Sequence, residues 1–126
     1  MKKNISTNNA PAAIGPYSQA TRVDNLLFVS GQIPLDPKTG EVVQGGIKEQ
    51  TKQVLENLKA IIVAAGMSLE NIVKCSCFLQ NLNEFADFNA IYGEYFTTNP
   101  PARECVEVSH LPKDVLVEIS AICVVD

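Results

Sequence analysis

The chain has 126 residues, a length typical of one domain, and carries a formal net charge of −4. An acidic chain has no general field that attracts nucleic acid, and an aromatic content of 6% without tryptophan leaves few rings on which bases could stack. The two lysines after Met1 precede no apolar stretch of the kind found in signal peptides, and no segment approaches the roughly 20 apolar residues of a membrane helix. These features predict a soluble, cytoplasmic protein.

The first predicted element is a β-hairpin that follows an irregular segment. Two prolines and a glycine punctuate Asn8–Pro16, which favours an irregular lead-in. The strand-like runs Tyr17–Val23 and Leu26–Ser30 flank Asp24–Asn25, a two-residue turn signal. The pattern therefore predicts two antiparallel strands joined by a tight turn.

A turn, a helix and a strand are expected next. Asp36–Gly40 combines a proline with a terminal glycine, which is typical of a β-turn, and should lead into a short strand at Glu41–Val43. Apolar residues recur every three or four positions over Ile47–Ala65, which predicts an amphipathic helix that ends at Gly66. The run Ile72–Gln80 predicts a strand, parallel to an earlier one if the helix forms the crossover between them.

A second helix is predicted over Glu84–Phe96, with Asn83 as its N-cap. One face of this helix is largely aromatic and consists of Phe85, Phe88, Ile91, Tyr92, Tyr95 and Phe96. The paired prolines of Thr97–Pro101 favour an extended link back into the sheet.

The last two strand-like runs, Ala102–Val108 and Val115–Val125, are predicted to form a hairpin across the polar connection Ser109–Asp114. They are interrupted by two notable charges, Arg103 and Glu118. Such charges within apolar strands require a structural or functional reason.

Side chains alternate along a strand, and we expect apolar Val106 and Val108 to face the core. The alternation then predicts that Arg103, Cys105 and Glu107 share the opposite sheet face with Glu118. That face would mix charged and apolar side chains, as a subunit interface containing a site does. The residues alone leave an alternative open, in which Arg103 and Glu118 form a structural ion pair or are two solvated charges.

The order of elements is ββ, a short β, α, β, α, ββ, which predicts an α+β fold with two helices on one face of a sheet. The other face of the sheet would then be uncovered within one chain. Because it carries apolar side chains among its charges, we expect a homo-oligomer that buries it.

Four cysteines lie within strand-like apolar runs, at Cys75, Cys77, Cys105 and Cys123. This placement predicts reduced, mostly buried and inert thiols, with Cys105 as the exception because it is expected beside Arg103. Cys75 and Cys77 together with His110 give only a weak metal signal, since a closed zinc site requires four ligands.

Several stretches, in the same order along the chain, resemble the RidA/YjgF family: Ala13–Ala20, Val29–Pro34, Asn57–Gly66, Phe85–Asn89, Pro101–Arg103 and Leu111–Ile119. The resemblance spans nearly the whole chain. It implies a chorismate-mutase-like fold and a homotrimer with three sites in the clefts between subunits. It also implies 2-iminobutanoate/2-iminopropanoate deaminase activity without a metal or a cofactor.

The resemblance further implies a site of seven residues, all of which match the family's residue types. The catalytic set is Arg103, Glu118 and Tyr17; the substrate-binding set is Arg103, Ser30, Gly31, Asn89 and Cys105. Two departures lie outside this site: Gln80–Leu82 lacks an aspartate that many members carry, and Cys123 stands where alanine is common.

The chemistry of imine hydrolysis suits these residue types. The planar guanidinium of Arg103 can hold the carboxylate of an imino acid through two parallel hydrogen bonds. Glu118, helped by Tyr17, is the candidate that orients a water over the C=N carbon and moves its proton. Backbone groups near Gly31 and Cys105 would fix the substrate, with the Cys105 thiol as a bystander.

Other functions remain open from the sequence. Taken alone, Tyr17 is more typical of packing, Ser30–Gly31 of a strand end and Asn89 of a helix surface. One alternative is a non-catalytic regulatory trimer that uses Arg103 to bind a small carboxylate. Another is an RNA-directed translation inhibitor or ribonuclease, for which the chain offers no basic stripe and a single histidine, His110.

Overall fold

A computed structural model describes all 126 residues, which form one six-stranded sheet with two helices on one face. The strands are β1 (Lys3–Ile5), β2 (Ala20–Val23), β3 (Leu26–Gln32), β4 (Ile72–Leu79), β5 (Ala102–Glu107) and β6 (Val117–Val124). The helices are α1 (Ile47–Ala64) and α2 (Phe85–Tyr95), and neither is long and apolar enough to cross a membrane. Across the sheet the strand order is β1-β2-β3-β6-β4-β5, and the predicted α+β class is confirmed.

Strands β2 and β3 form the predicted antiparallel hairpin, with Val23 opposite Leu26. Asp24 in the two-residue turn has φ of 52°, a left-handed conformation that aspartate tolerates better than most residues. The first strand of the hairpin begins at Ala20 rather than at Tyr17. The sequence did not predict β1, which pairs with β2 at the edge of the sheet. An exposed edge strand can be polar, so its sequence lacks the apolar alternation by which strands are recognised.

The segment between the hairpin and α1 contains less strand than expected. The predicted strand at Glu41–Val43 is reduced to one isolated bridge between Leu35 and Val42. Helix α1 begins at Ile47, as predicted, and Gly66 follows its end with φ of 80°, which suits a residue without a side chain.

The predicted C-terminal hairpin is wrong. Strand β6 lies between β3 and β4 and pairs antiparallel with both, whereas β5 pairs with β4 in parallel at the edge of the sheet. Helix α2 is the crossover connection between β4 and its parallel neighbour β5. The loop after β5 then crosses β4 to reach β6. Strand β4 runs parallel to β3, as expected for a crossover through α1, but β6 separates the two.

Helix α2 begins differently from the prediction. Asn81, rather than Asn83, is the cap: its side-chain oxygen accepts a hydrogen bond of 2.9 Å from the Asn83 backbone N–H. One 3₁₀ turn over Leu82–Glu84 leads into the helix. The predicted aromatic face is confirmed, and four of its rings form a continuous row of contacts: Phe85, Phe88, Tyr92 and Phe96.

The core lies between the helices and one face of the sheet. Its fully buried side chains come from α1 and the central strands and include Val54, Leu55, Leu58, Ile61, Ile62, Leu79, Val117 and Ile119. The opposite face is uncovered, as predicted, and carries partly exposed apolar side chains such as Phe28 (40% exposed) and Val106 (44%). We call this second surface the open face of the sheet.

Candidate active site

Arg103 and Glu118 lie on opposite faces of the sheet, so the prediction that they share a face is wrong. Arg103 is the register partner of buried Cys75 and faces the helices. Glu118 is the partner of Phe78 and lies on the open face. The prediction assigned apolar Val106 to the core, but in the structure that residue is exposed and Arg103 takes the helix-facing position.

Arg103 is accommodated on the helix side because α2 surrounds it with aromatic rings. Its guanidinium carbon lies 4.7 Å from the ring centroid of Tyr92, 5.4 Å from that of Phe85 and 6.0 Å from that of Phe88. These distances are within the range of cation–π attraction. The sequence predicted these rings as one face of the helix from their spacing, but it did not reveal the arginine beneath them.

One hydrogen bond fixes the orientation of the Arg103 guanidinium. Its Nη1 donates to Asn89 Oδ1 at 2.8 Å, which brings two of the predicted site residues together. A guanidinium has five N–H donors, so the other donors of Arg103 are available to an anion. The cleft beside them is lined by Asn89, Tyr92, Phe96, Pro100, Pro101 and Arg103.

Glu118 is held on the open face by close contact with the backbone of β3. A Cβ built at Gly31 would lie 2.9 Å from Glu118 Cδ and closer still to its Oε2, so only glycine leaves room for this carboxylate. None of the chain's three ion pairs includes Glu118. Burial raises the pKa of Glu118 above the ordinary carboxyl value, which makes its carboxylate a stronger proton acceptor than an exposed one.

Ser30 and Gly31 form an irregularity in β3, where the pairing with β6 shifts between Val29 and Gln32. Such bulges reorient the chain locally and often occur near active sites. Ser30 Oγ donates to the Ser18 carbonyl at 2.6 Å, and this bond joins the bulge to the segment that carries Tyr17.

Tyr17 is 53% exposed and, with Gly31, lines a cleft between the N-terminal segment and the end of β3. Its segment is anchored by buried Gln19, which sequence analysis did not include in the site. The Gln19 carboxamide accepts from the Thr7 N–H at 2.7 Å and donates to the Pro11 carbonyl at 2.8 Å. The sequence does show a polar residue directly before an apolar strand, and this pattern could have indicated a buried polar anchor.

The four cysteines are free thiols; three of them are fully buried and Cys105 is partly exposed. Cys105 lies beside Cys77 on the helix-facing side of β5, close to Arg103 as predicted. Burial raises the pKa of Cys105 and raises that of Cys123 to about 12, so both remain protonated thiols at neutral pH.

The weak metal motif is not assembled in the fold. Cys75 and Cys77 point into the core, whereas His110 is exposed on the loop after β5 and pairs with Asp114 at 3.6 Å. No group of three or more His, Cys, Asp and Glu side chains converges in the way that a metal ion requires.

The seven predicted residues therefore form two separate groups. We call Asn89, Arg103 and Cys105 the arginine half-site, and Tyr17, Ser30, Gly31 and Glu118 the glutamate half-site. Strand β4 separates the strands that carry Arg103 and Glu118, a distance of about 10 Å across the sheet, and the two side chains leave opposite faces. A single chain does not bring the two half-sites together.

Comparison with known proteins places this geometry in a family. A family model described as "Endoribonuclease L-PSP" matches residues 7–125. A RutC family protein of Pyrococcus horikoshii is 60% identical over 97% of this chain and 97% of its own length. The 2-iminobutanoate/2-iminopropanoate deaminase of Escherichia coli K12 is 52% identical over 98% of both chains.

A solved structure of Escherichia coli TdcF with bound serine is 46% identical and superimposes with a TM-score of 0.94 over 98% of this chain and 99% of that chain. The match over nearly the full length includes both half-sites. The chain belongs to the RidA/YjgF family.

Proposed function

We propose that this protein is a 2-iminobutanoate/2-iminopropanoate deaminase, a hydrolase that converts reactive imines or enamines from amino-acid dehydratases to 2-oxo acids and ammonia. A relative of that name with 52% identity supports the proposal. So does the chemistry of the half-sites: a cation with free donors for a carboxylate, and a carboxyl group with a raised pKa for proton transfer.

The observation that carries the proposal is the separation of Arg103 from Glu118 on opposite faces of the sheet. Hydrolysis at one centre requires both groups, so a second copy of the chain must supply one of them. We therefore propose a homotrimer in which the open face is covered and each cleft between subunits joins an arginine half-site to a glutamate half-site. The apolar side chains of the open face support burial of this kind.

The reaction would proceed without a metal or a cofactor. Arg103 binds the imino acid carboxylate and so places the C=N carbon in the cleft. Glu118, oriented by Gly31 and assisted by Tyr17, accepts a proton from a water as the water oxygen adds to that carbon, and passes this proton to the imine nitrogen, which gives the neutral carbinolamine. Glu118 then takes the proton of the carbinolamine hydroxyl and donates it to the amine nitrogen as the C–N bond breaks. Ammonia and the 2-oxo acid are released, and the Glu118 carboxylate is restored.

A second candidate function is a non-catalytic trimer that binds a small carboxylate metabolite at the same arginine. The TdcF structure with bound serine favours this alternative, because serine carries a carboxylate. It predicts ligand binding without accelerated hydrolysis. An RNA-directed role would instead show steeply salt-dependent RNA binding, which the net charge of −4 disfavours.

The test measures 2-oxobutanoate release from 2-iminobutanoate that a threonine dehydratase generates in the assay. We expect wild-type protein to accelerate release over the no-protein rate. Arg103→Ala removes two charge-assisted hydrogen bonds of about 1.5–3 kcal/mol each, so kcat/KM should fall by about 100-fold or more while the fold and oligomer persist.

Lys59→Ala is the matched control, since it removes one exposed positive charge from α1, a helix that carries none of the half-site residues, and should leave kcat/KM unchanged. Wild-type protein that assembles as a trimer but gives no acceleration would contradict the deaminase proposal. Full activity in trimeric Arg103→Ala would contradict the role of Arg103 as the anchor.

A further inference from the structure

Helix α2 holds the Arg103 side chain in a cradle of aromatic rings and one amide. The Tyr92 ring is the nearest at 4.7 Å from the guanidinium carbon, and the Phe85 ring lies at 5.4 Å. Asn89, on the same helix, accepts the hydrogen bond from Nη1 at 2.8 Å. Three side chains of one rigid element therefore determine where the cation lies and how its plane is turned.

This orientation leaves one edge of the guanidinium free. Nη1 is occupied by Asn89, whereas Nε and Nη2 donate to no group of the chain. Nε and Nη2 present two parallel N–H bonds, the arrangement that binds a carboxylate in bidentate fashion. The free edge is therefore the one suited to the carboxylate of a 2-imino acid.

We propose that Tyr92 is a positioning residue: its ring holds Arg103 so that the free edge of the guanidinium faces the carboxylate of the substrate. This inference rests on the proposed function of the site and assigns a role to a residue outside the seven that the family resemblance implied. Phe85 and Asn89 complete the cradle.

The Tyr92 ring is well suited to this role because it is itself immobile. Tyr92 is 5% exposed, and its ring packs between those of Phe88 and Phe96 at centroid distances of 5.6 and 4.6 Å. A free arginine side chain loses much rotational freedom when it binds an anion, whereas a stacked one has lost that freedom already. The cradle should therefore strengthen substrate binding.

The Tyr92 hydroxyl has no part in the cradle. It is buried beside the Cys75 thiol and bonds to no nitrogen or oxygen of the chain, and burial raises the pKa of Tyr92 well above its usual range. A role that depends on the ring alone makes a specific prediction: phenylalanine should replace Tyr92 and an aliphatic residue should not.

The experiment compares Tyr92→Leu and Tyr92→Phe with wild type in the imine hydrolysis assay, together with equilibrium binding of 2-oxobutanoate. Loss of a cation–π contact should raise KM and the Kd of 2-oxobutanoate by about 3- to 30-fold in Tyr92→Leu, with kcat changed less. Tyr92→Phe should stay within about twofold of wild type, because the ring is kept.

Tyr95→Leu is the matched control, since it removes another tyrosine ring from the same helix. Tyr95 donates its hydroxyl to Glu56 at 2.6 Å, and its ring is not among the three that lie near the Arg103 guanidinium, so the KM of this variant should remain that of wild type. If Tyr92→Leu does not assemble as wild type does, Phe85→Leu tests the same cradle. The Phe85 ring also lies near the guanidinium, and Phe85 is only half-buried.

A second comparison distinguishes positioning from general packing. In an Arg103→Lys background there is no planar guanidinium to orient, so Tyr92→Leu should raise the Kd of 2-oxobutanoate much less than it does in wild type. An undiminished effect in that background, or a wild-type KM in folded Tyr92→Leu, would overturn the inference.

The outcomes separate this inference from the proposed function. If wild type binds 2-oxobutanoate but does not hydrolyse the imine, the deaminase proposal fails and the binding measurements still decide the role of Tyr92. If wild type neither hydrolyses the imine nor binds 2-oxobutanoate, both proposals fail.

Discussion

Glu118 lies against Gly31, a residue whose lack of a side chain determines where the carboxylate can go. The close approach of Glu118 Cδ and Oε2 to the Gly31 backbone keeps the carboxyl group at the surface of the sheet, partly buried and without a cation beside it. Burial in this position raises the pKa of Glu118. The pKa of the carboxyl group therefore depends on the space that Gly31 leaves for it.

The substitution Gly31→Ala tests this dependence. Its Cβ would lie 2.9 Å from Glu118 Cδ, so the flexible end of Glu118 must move aside, while the backbone of β3 can stay in place. We expect kcat to fall by about 10- to 100-fold, because small displacements of a reacting group have effects of that size. Thermal unfolding should change little.

Gly93→Ala provides the control for a glycine-to-alanine change. Gly93 lies on α2, and a Cβ there would meet no atom within 4 Å. Alanine also favours helix by about 1 kcal/mol, so this variant should keep its activity and gain some stability. A Gly31→Ala enzyme as active as Gly93→Ala would show that the contact with Glu118 does not position the carboxylate.

At the scale of the elements, the sequence predicts which segments are helices and strands better than it predicts their partners. The periodicity of α1 and the two-residue turn between β2 and β3 are local signals, and both predictions are confirmed. The pairing of β6 with β3 joins segments from opposite ends of the chain, as in the contact of Leu26 with Val124, and no local pattern reveals it.

This error in pairing also produced the error in the site. A hairpin between β5 and β6 would make them neighbours, and apolar Val106 then suggested that Arg103 faced away from the core. In the structure β4 separates the two strands, and the rings of α2 stabilise a cation on the helix side. The residue types of the site followed from the family resemblance; their division between two faces is a tertiary property that the sequence does not display.

The loop that enters β6 contains two consecutive residues in a strained conformation. Lys113 and Asp114 have φ of 56° and 55°, in the left-handed region that costs most side chains about 1 kcal/mol or more. These residues lie in the connection from β5 to β6, two strands that have β4 between them. The strained conformation therefore occurs in the connection that stands in place of the predicted hairpin loop.

Lys113→Gly should relieve part of that strain. We expect a gain of about 0.5–1 kcal/mol in the free energy of unfolding, measured in urea at a fixed protein concentration, with activity unchanged. Lys113→Ala removes the same charge but keeps a Cβ, so it should show no gain. Equal stabilisation by glycine and alanine would assign the effect to the loss of the lysine charge instead.

At the scale of the whole molecule, the proposed function implies that each chain carries two incomplete sites. The arginine half-site lies beneath α2 at the β5 edge, and the glutamate half-site lies at the bulge of β3 on the open face. In a closed ring of identical subunits, every interface between neighbours can join one of each. The proposed function therefore predicts a chain that is inactive alone and complete only in the assembly.

Mixed trimers test this arrangement directly. Arg103→Ala damages only the arginine half-site and Glu118→Gln only the glutamate half-site, so each variant alone should be inactive. After the two are unfolded together and refolded at equal amounts, about one interface in four should join an intact Arg103 to an intact Glu118, and about a quarter of wild-type activity should return.

The control is a mixture of Arg103→Ala with Asn89→Ala, which damage the same half-site and should not restore wild-type sites. If the first mixture forms mixed trimers by native mass spectrometry and regains no activity, both groups must act from a single chain, and the opposite faces they occupy would have to be reconciled by a rearrangement of the sheet.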